Sequence, residues 1–230
     1  MITSAIKGSV ELLKILKQTL RETYDQREAD NISLILIEYF FEISKTQILM
    51  DTPFTKFDDE LLDNLNECMS RLSKHEPIQH ILGETEFYGL PFYVNKSVLI
   101  PRQETEELVD WILRDNESVD NLRLLDLGTG SGCIPISIKK EKENTYIEAI
   151  ELSEDALSVA KDNAELNQVD IVWIKNNILD LTHNTDTPFD VIVSNPPYIT
   201  NAEKKSMDKN VLEFDPHLAL FVENETPLVF

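Results

Sequence analysis

Glycine is scarce in this sequence, with 6 among 230 residues, so a place where glycines cluster carries information. Cysteine is scarcer still. The 2 cysteines, Cys68 and Cys133, lie in different segments, without the paired spacing of a metal site or the density of a disulfide framework. No metal site is expected, and the expected compartment is cytoplasmic. Long apolar runs are missing as well. No stretch approaches the roughly 18 residues of a membrane span. The first residues, Met1-Ile2-Thr3-Ser4-Ala5-Ile6-Lys7, run into an amphipathic helix rather than the apolar core of a secretory leader. Neither a membrane span nor export is expected. Positive charge is the last shortage: Lys and Arg number 21 against 42 Asp and Glu, a formal net charge of −21. Such a chain repels a phosphate backbone unless a local basic patch intervenes. The pairs Lys139-Lys140 and Lys204-Lys205 are short and have acids nearby, so no direct nucleic-acid contact is expected. A basic protein partner suits this balance. Plain solubility is the alternative reading.

What is present falls into three textures. Residues 1–75 read as a helical domain. Ile6, Val10, Leu13, Leu16 and Leu20 recur at helical spacing over 3–24, and Ile32, Ile35, Leu36, Tyr39, Phe40 and Ile43 do so over 27–44. A short helix near 45–50 follows, Pro53 breaks the pattern, and Asp58 or Asp59 caps a further helix to about Ser73. Residues 76–103 read as a β-hairpin linker: Glu86-Phe87-Tyr88 and Pro91-Phe92-Tyr93-Val94 flank Gly89-Leu90, and Val98-Leu99-Ile100 is a third extended piece before Pro101-Arg102. From 104 to 230 a helix that opens with acids gives way to alternating strands and helices. Strands are predicted at 122–127, 146–150, 171–174 and 189–193. Helices are predicted around Ile136-Ser137-Ile138 and over 156–166. This alternation implies an α/β fold with a parallel sheet.

The glycines cluster in "LLDLGTGSGC", between a strand and a helix. Gly128, Gly130 and Gly132 permit positive φ and close approach of backbone to a ligand. Their G-x-G-x-G spacing is not the dinucleotide fingerprint G-x-G-x-x-G, and suits a cofactor with an adenosine but no pyrophosphate. Glu151 ends the next strand, where a carboxylate accepts from both ribose hydroxyls. The combination points to S-adenosylmethionine, with a plain strand-to-helix turn as the alternative. Cys133, at the start of the helix, is read as a small packing residue.

The fourth strand ends in Ser194-Asn195-Pro196-Pro197-Tyr198. Two prolines cannot continue a sheet, so a rigid polar loop begins there, at the carboxyl ends of the strands where open α/β sheets bind ligands. A planar –NH2 acceptor has two N–H donors. The Asn195 side-chain oxygen takes one and the Pro196 carbonyl the other. This fixes the nitrogen and favours its pyramidalisation toward a sulfonium methyl. Pro197 adds rigidity, and Tyr198 offers a flat face. Catalysis of this kind is alignment and charge stabilisation.

Four segments, "EPIQHILGETEFYGLPFYVNKSVLIPRQETEELV", "LLDLGTGSGCIPIS", "IVSNPPYI" and "VLEFDPHLALF", resemble the release-factor glutamine methyltransferase family, HemK/PrmC, from about residue 5 to 225. The resemblance implies a Rossmann-like S-adenosylmethionine-dependent methyltransferase domain with an N-terminal helical domain and a β-hairpin linker. It implies methylation of the side-chain amide of the Gly-Gly-Gln glutamine in class I peptide release factors, with S-adenosylhomocysteine as product. Gly128, Thr129, Gly130, Ser131, Gly132 and Glu151 then hold the cofactor, with Asn177, Ile178 and Asn195. Asn195, Pro196, Pro197 and Tyr198 hold the glutamine amide. Three residues depart from the family: Glu151 replaces the usual Asp, Asn177 replaces an acid near the adenine, and Pro135 falls early in the helix after the loop. The family also continues past the position of Phe230 with further strands. The methyltransferase domain is therefore expected to be incomplete at its C-terminal end, with weak or absent turnover and a dimer formed through the bare edge of the fourth strand. Two other functions remain open: a nucleic-acid amino methyltransferase acting on adenine or guanine, and an inactive truncated module that binds release factors.

Overall fold

The computed structural model describes residues 6, 8–54, 57–180, 187–196, 214 and 216. The chain divides into two compact units, residues 1–81 and 82–230.

The first unit is helical: α1 (Ser9–Leu20), α2 (Gln26–Phe41), α3 (Lys45–Leu49), α4 (Asp59–Leu72) and α5 (Ile78–Leu82). Each of the first four bends its apolar stripe into a common core that includes Leu12, Leu16, Leu36, Ile37, Ile48, Leu65 and Leu72. The helix starts are chemically marked. Asp25 accepts from the Glu28 N–H, Asp58 accepts from the Leu61 N–H, and Ser44 with Gln47 forms a capping box, each satisfying amide donors that a helix start leaves unpaired. Helix α1 is shorter than its periodicity suggested. It begins at Ser9, where the Asp51 carboxylate accepts from the Val10 N–H at 3.0 Å, and residues 21–24 form turns. Helix α2 stops at Phe41 because Glu42 adopts the left-handed conformation, φ 52°. Arg71 meets Glu76 through two bonds of 2.8 Å, a fork-to-carboxylate geometry that stabilises the buried Glu76 charge.

The second unit opens with β1 (Glu84–Phe87) and β2 (Leu90–Tyr93), paired antiparallel with Phe87 opposite Leu90. The turn is therefore Tyr88-Gly89, one residue earlier than expected. Both residues have positive φ, 53° and 70°, as a two-residue hairpin turn requires. A tyrosine in that region is held by α6 (Gln103–Asp115). Glu106 accepts from the Tyr88 N–H at 2.7 Å, and Asp110 accepts from its hydroxyl at 2.6 Å. The bond to Asp110, with burial, pushes the Tyr88 phenol up to about 12. Val98-Leu99-Ile100 forms no strand. Val98 and Ile100 are buried instead, Val98 in a cluster with Val94, Ala156 and Val159.

The remaining elements are β3 (Arg123–Leu127), α7 (Cys133–Glu141), β4 (Tyr146–Glu151), α8 (Glu154–Asn167), β5 (Val172–Lys175) and β6 (Val191–Ser194). The strands form a parallel sheet in the order β5-β4-β3-β6. The predicted alternation is present, and the order makes β6 an outer strand among the described residues. The hairpin belongs to this unit by its packing. Phe87 and Phe92 are almost fully buried in one cluster with Val109, Ile112, Leu124, Ile136 and Val193. Among the described residues no helix is long and apolar enough to cross a membrane, and no group of His, Cys, Asp and Glu side chains is arranged to hold a metal ion.

Because Phe92 is wholly buried, Phe92→Ala is expected to cost about 3–5 kcal/mol, read as a lowered urea midpoint. A loss below about 1 kcal/mol would show that the hairpin contributes little to this core.

Candidate cofactor and acceptor site

Parallel register assembles the site. Leu127 lies opposite Ile150 on one side and opposite Ser194 on the other. The residues that follow, Gly128, Glu151 and Asn195, therefore emerge side by side at the carboxyl ends of β3, β4 and β6. Asn177 follows β5 at the same end, and the preceding Asn176 N–H donates to the Glu151 carbonyl at 3.1 Å.

The glycine loop is anchored at its start and its middle. The N–H groups of Gly128 and Thr129 both donate to the Ile150 carbonyl, at 2.8 and 3.1 Å. Glu151 reaches across: Oε2 accepts from the Gly130 N–H at 2.9 Å, while Oε1 accepts from Leu152 and Ser153 at 2.9 and 3.0 Å. Three amide donors hold this carboxylate, and its extra methylene over Asp gives it reach. The glycines serve two purposes. A side chain at Gly132 would press on Ile136, Ala160 and Trp173 at 3.0–3.2 Å, whereas one at Gly128 or Gly130 would meet nothing within 4 Å among the described residues. Gly132 permits close packing. Gly128 and Gly130 border open space where a ligand can approach the backbone. Gly132 is also the N-cap of α7, which puts Pro135 in the first turn, where its missing N–H breaks no helical bond.

Asp126 was not singled out from the sequence. It is buried, 1% exposed, and among the described residues neither carboxylate oxygen has a hydrogen-bond partner, nor does the hydroxyl of Thr129. Burial pushes its carboxyl up to about 7. The nearby Thr129 hydroxyl opposes this slightly, and the Glu151 charge adds to it. An unpaired acid buried beneath a glycine loop fits a ligand that brings a cationic group. The signal was available, since Asp126 is the one acid in the apolar run from Leu122 to Leu127. Cys133 is buried and its thiol is pushed up to about 12 by that burial, consistent with a packing residue and not a nucleophile.

Asn177 uses its side-chain oxygen locally, accepting from the Leu179 N–H at 3.0 Å, and Ile178 opens a short 3-10 turn. Asn195 is exposed. Its Nδ2 donates to the hydroxyl of Thr105, a buried residue of α6, at 3.5 Å. The Asn195 Oδ1 has no partner among the described residues. Nothing in the sequence pattern marked Thr105 for this contact. Ser194 anchors the strand end by donating to the Leu127 carbonyl at 2.7 Å. Pro196 is partly buried. Pro197 and Tyr198, expected beside the acceptor, lie outside the described residues.

The Asp126 carboxyl resists ionisation in the folded chain, while its unfolded counterpart ionises near 4. Its contribution to stability is therefore full at low pH and is lost as pH rises toward 7. Asp126→Asn removes that loss. The urea midpoint of the variant minus that of the natural chain is expected to rise between pH 5 and pH 8, and a difference independent of pH would refute it.

Comparison with known proteins bears on this geometry. Residues 106–214 match the methyltransferase small domain and residues 11–83 the PrmC N-terminal domain. The release factor glutamine methyltransferase of Flavobacterium psychrophilum is 48% identical over 216 residues, covering 93% of this chain and 75% of that protein. The protein of the same name from Lactococcus lactis is 48% identical over 170 residues, covering 74% and 62%. The one from Bacteroides thetaiotaomicron is 40% identical over 217 residues, covering 94% and 76%. The chain thus spans roughly two thirds to three quarters of these relatives. Identity of this extent, across both the helical unit and the sheet that carries the glycine loop and Asn195, means that the chain belongs to the release factor glutamine methyltransferase family.

Proposed function

We propose that this protein transfers a methyl group from S-adenosylmethionine to the side-chain amide nitrogen of the Gly-Gly-Gln glutamine of class I peptide release factors. The observation that carries the reading is the register-enforced neighbourhood of an open glycine loop and an exposed carboxamide whose Oδ1 is unengaged. The open space at Gly128 and Gly130 and the unpaired Asp126 carboxylate suit the nucleoside and ammonium parts of the cofactor, which supplies a methyl already activated on a sulfonium.

The chain's own residues supply alignment. Glu151, held by three amides, keeps one lone pair, on Oε2, for a ribose hydroxyl. Gly128, Thr129, Gly130, Ser131 and Gly132 form the wall along the cofactor, with Asn177 and Ile178 beside the base. Asn195 Oδ1 and the Pro196 carbonyl each accept one N–H of the glutamine amide, drawing electron density onto its nitrogen. Pro197 and Tyr198 complete that grip. No base is needed before attack, because the proton leaves after the new N–C bond forms. The acidic surface, net charge −21, disfavours a nucleic-acid acceptor and suits a protein one. β6 is an outer strand among the described residues, which supports a further reading, pairing with a second copy along that edge.

Methyl-labelled cofactor is expected to label a class I release factor and to leave both DNA and a factor with its glutamine changed to alanine unlabelled. Asn195→Ala should lower kcat by about 100-fold or more. Equal turnover by that variant would sink the acceptor assignment. Cofactor binding with no transfer to any acceptor would favour the inactive binding module. For the edge, light scattering is expected to show a dimer that grows with concentration, and a monomer throughout would remove it.

A further inference from the structure

Asn163 and Asn167 lie one turn apart on α8, so their side chains share a face. That face meets the outer edge of β2. In the hairpin, Phe92 and Leu90 point their backbone groups toward β1, while Pro91 and Tyr93 point theirs outward. Pro91 has no N–H, so the outward edge offers the Pro91 carbonyl and the N–H and carbonyl of Tyr93. The two amides take all of these. Asn163 Oδ1 accepts from the Tyr93 N–H at 2.6 Å and its Nδ2 donates to the Tyr93 carbonyl at 3.0 Å, pairing as a neighbouring strand residue would. Asn167 Nδ2 donates to the Pro91 carbonyl at 2.9 Å. This explains how a proline is tolerated there and how an edge is covered without another strand.

Asn163 alone goes further. Its Nδ2 also donates to the Ser131 carbonyl at 2.9 Å, inside the glycine loop. The side chain is fully buried, 0% exposed. The other end of the same peptide plane is fixed as well, since the Gly132 N–H donates to the Thr129 carbonyl at 2.9 Å. The plane between Ser131 and Gly132 is thus held from both sides, on the loop segment that otherwise has the greatest conformational freedom. One carboxamide ties helix, hairpin and glycine loop together.

We propose that Asn163 is a positioning residue for the cofactor, holding the glycine loop in its binding form through the docked hairpin. This rests on reading that loop as the S-adenosylmethionine site. Asn163 acts through the Ser131 carbonyl and the hairpin, while its neighbour Asn167 serves the hairpin and α8 without touching the loop. The two residues therefore separate loop positioning from mere stability.

The test is calorimetric titration of the full chain with S-adenosylhomocysteine. Asn163→Asp keeps the acceptor for Tyr93 but removes both donated bonds, and Asn163→Ala removes all three contacts without adding charge. Both are expected to weaken binding about tenfold or more. Asn167→Ala should lower the thermal midpoint yet change affinity less than about twofold. Folded Asn163 variants that bind as tightly as the natural chain overturn the proposal, as does an Asn167→Ala variant that loses affinity equally. If neither Asn163 variant folds, hydrogen exchange on the natural chain decides. Ligand must slow exchange in residues 90–94, because coupling between sites is reciprocal, and no change there overturns the proposal. A natural chain that binds no S-adenosylhomocysteine instead overturns the cofactor reading itself.

Discussion

Parallel pairing of β3 with β4 on one side and with β6 on the other is the constraint on which the site depends. Strands in such a sheet lie about 5 Å apart, and their ends are level only if the register makes them so. With Leu127 opposite both Ile150 and Ser194, the glycine loop, Glu151 and Asn195 leave the sheet together. A slip of one residue would turn every side chain of a strand to the opposite face. β4 is buried on both faces from Ile147 to Glu151, so it is β6, with Ile192 exposed and Val193 buried, that resists such a slip.

Charge is the second theme. A chain this acidic has to bury carboxylates without raising their energy, and it does so in different ways at different places. Glu76 is forked by Arg71, Glu148 accepts from the Tyr146 hydroxyl at 2.9 Å, and Glu151 is surrounded by amide donors. Asp126 receives no such partner among the described residues, and its carboxyl is the one pushed far up by burial. Carboxyls perturbed in this way cluster at functional sites. The few cations do structural work too. Lys139 donates to the carbonyls of Glu143 and Thr145, and Lys140 to that of Asn167.

The hairpin shows how an element that is weak alone becomes part of a domain. Two short strands are marginal in water. Here one edge is covered by amides of α8, the turn is held by acids of α6, and Phe87 and Phe92 enter the core. The acids in the first turn of α6, Glu104 and Glu106, sit where a helix dipole favours negative charge. Glu106 is in fact also the acceptor that relieves an awkward tyrosine turn, a role set by a residue 18 positions away.

Local backbone chemistry was legible in the sequence: glycines where φ must be positive, prolines where a strand must end, an aspartate where α4 begins, and the alternation that makes a parallel sheet. These depend on neighbours within a few positions, and the sequence pattern records them directly. The positions of Gly128 to Gly132, Glu151 and Asn195 at strand ends were readable for that reason. The partners of Asn163, the unpaired state of Asp126, the Thr105 contact of Asn195 and the failure of Val98-Leu99-Ile100 to become a strand were not. Each depends on groups tens of residues apart meeting at hydrogen-bonding distance, or on a neighbouring strand being within reach. No spacing rule encodes such a meeting; only the packed sheet, hairpin and helices bring it about.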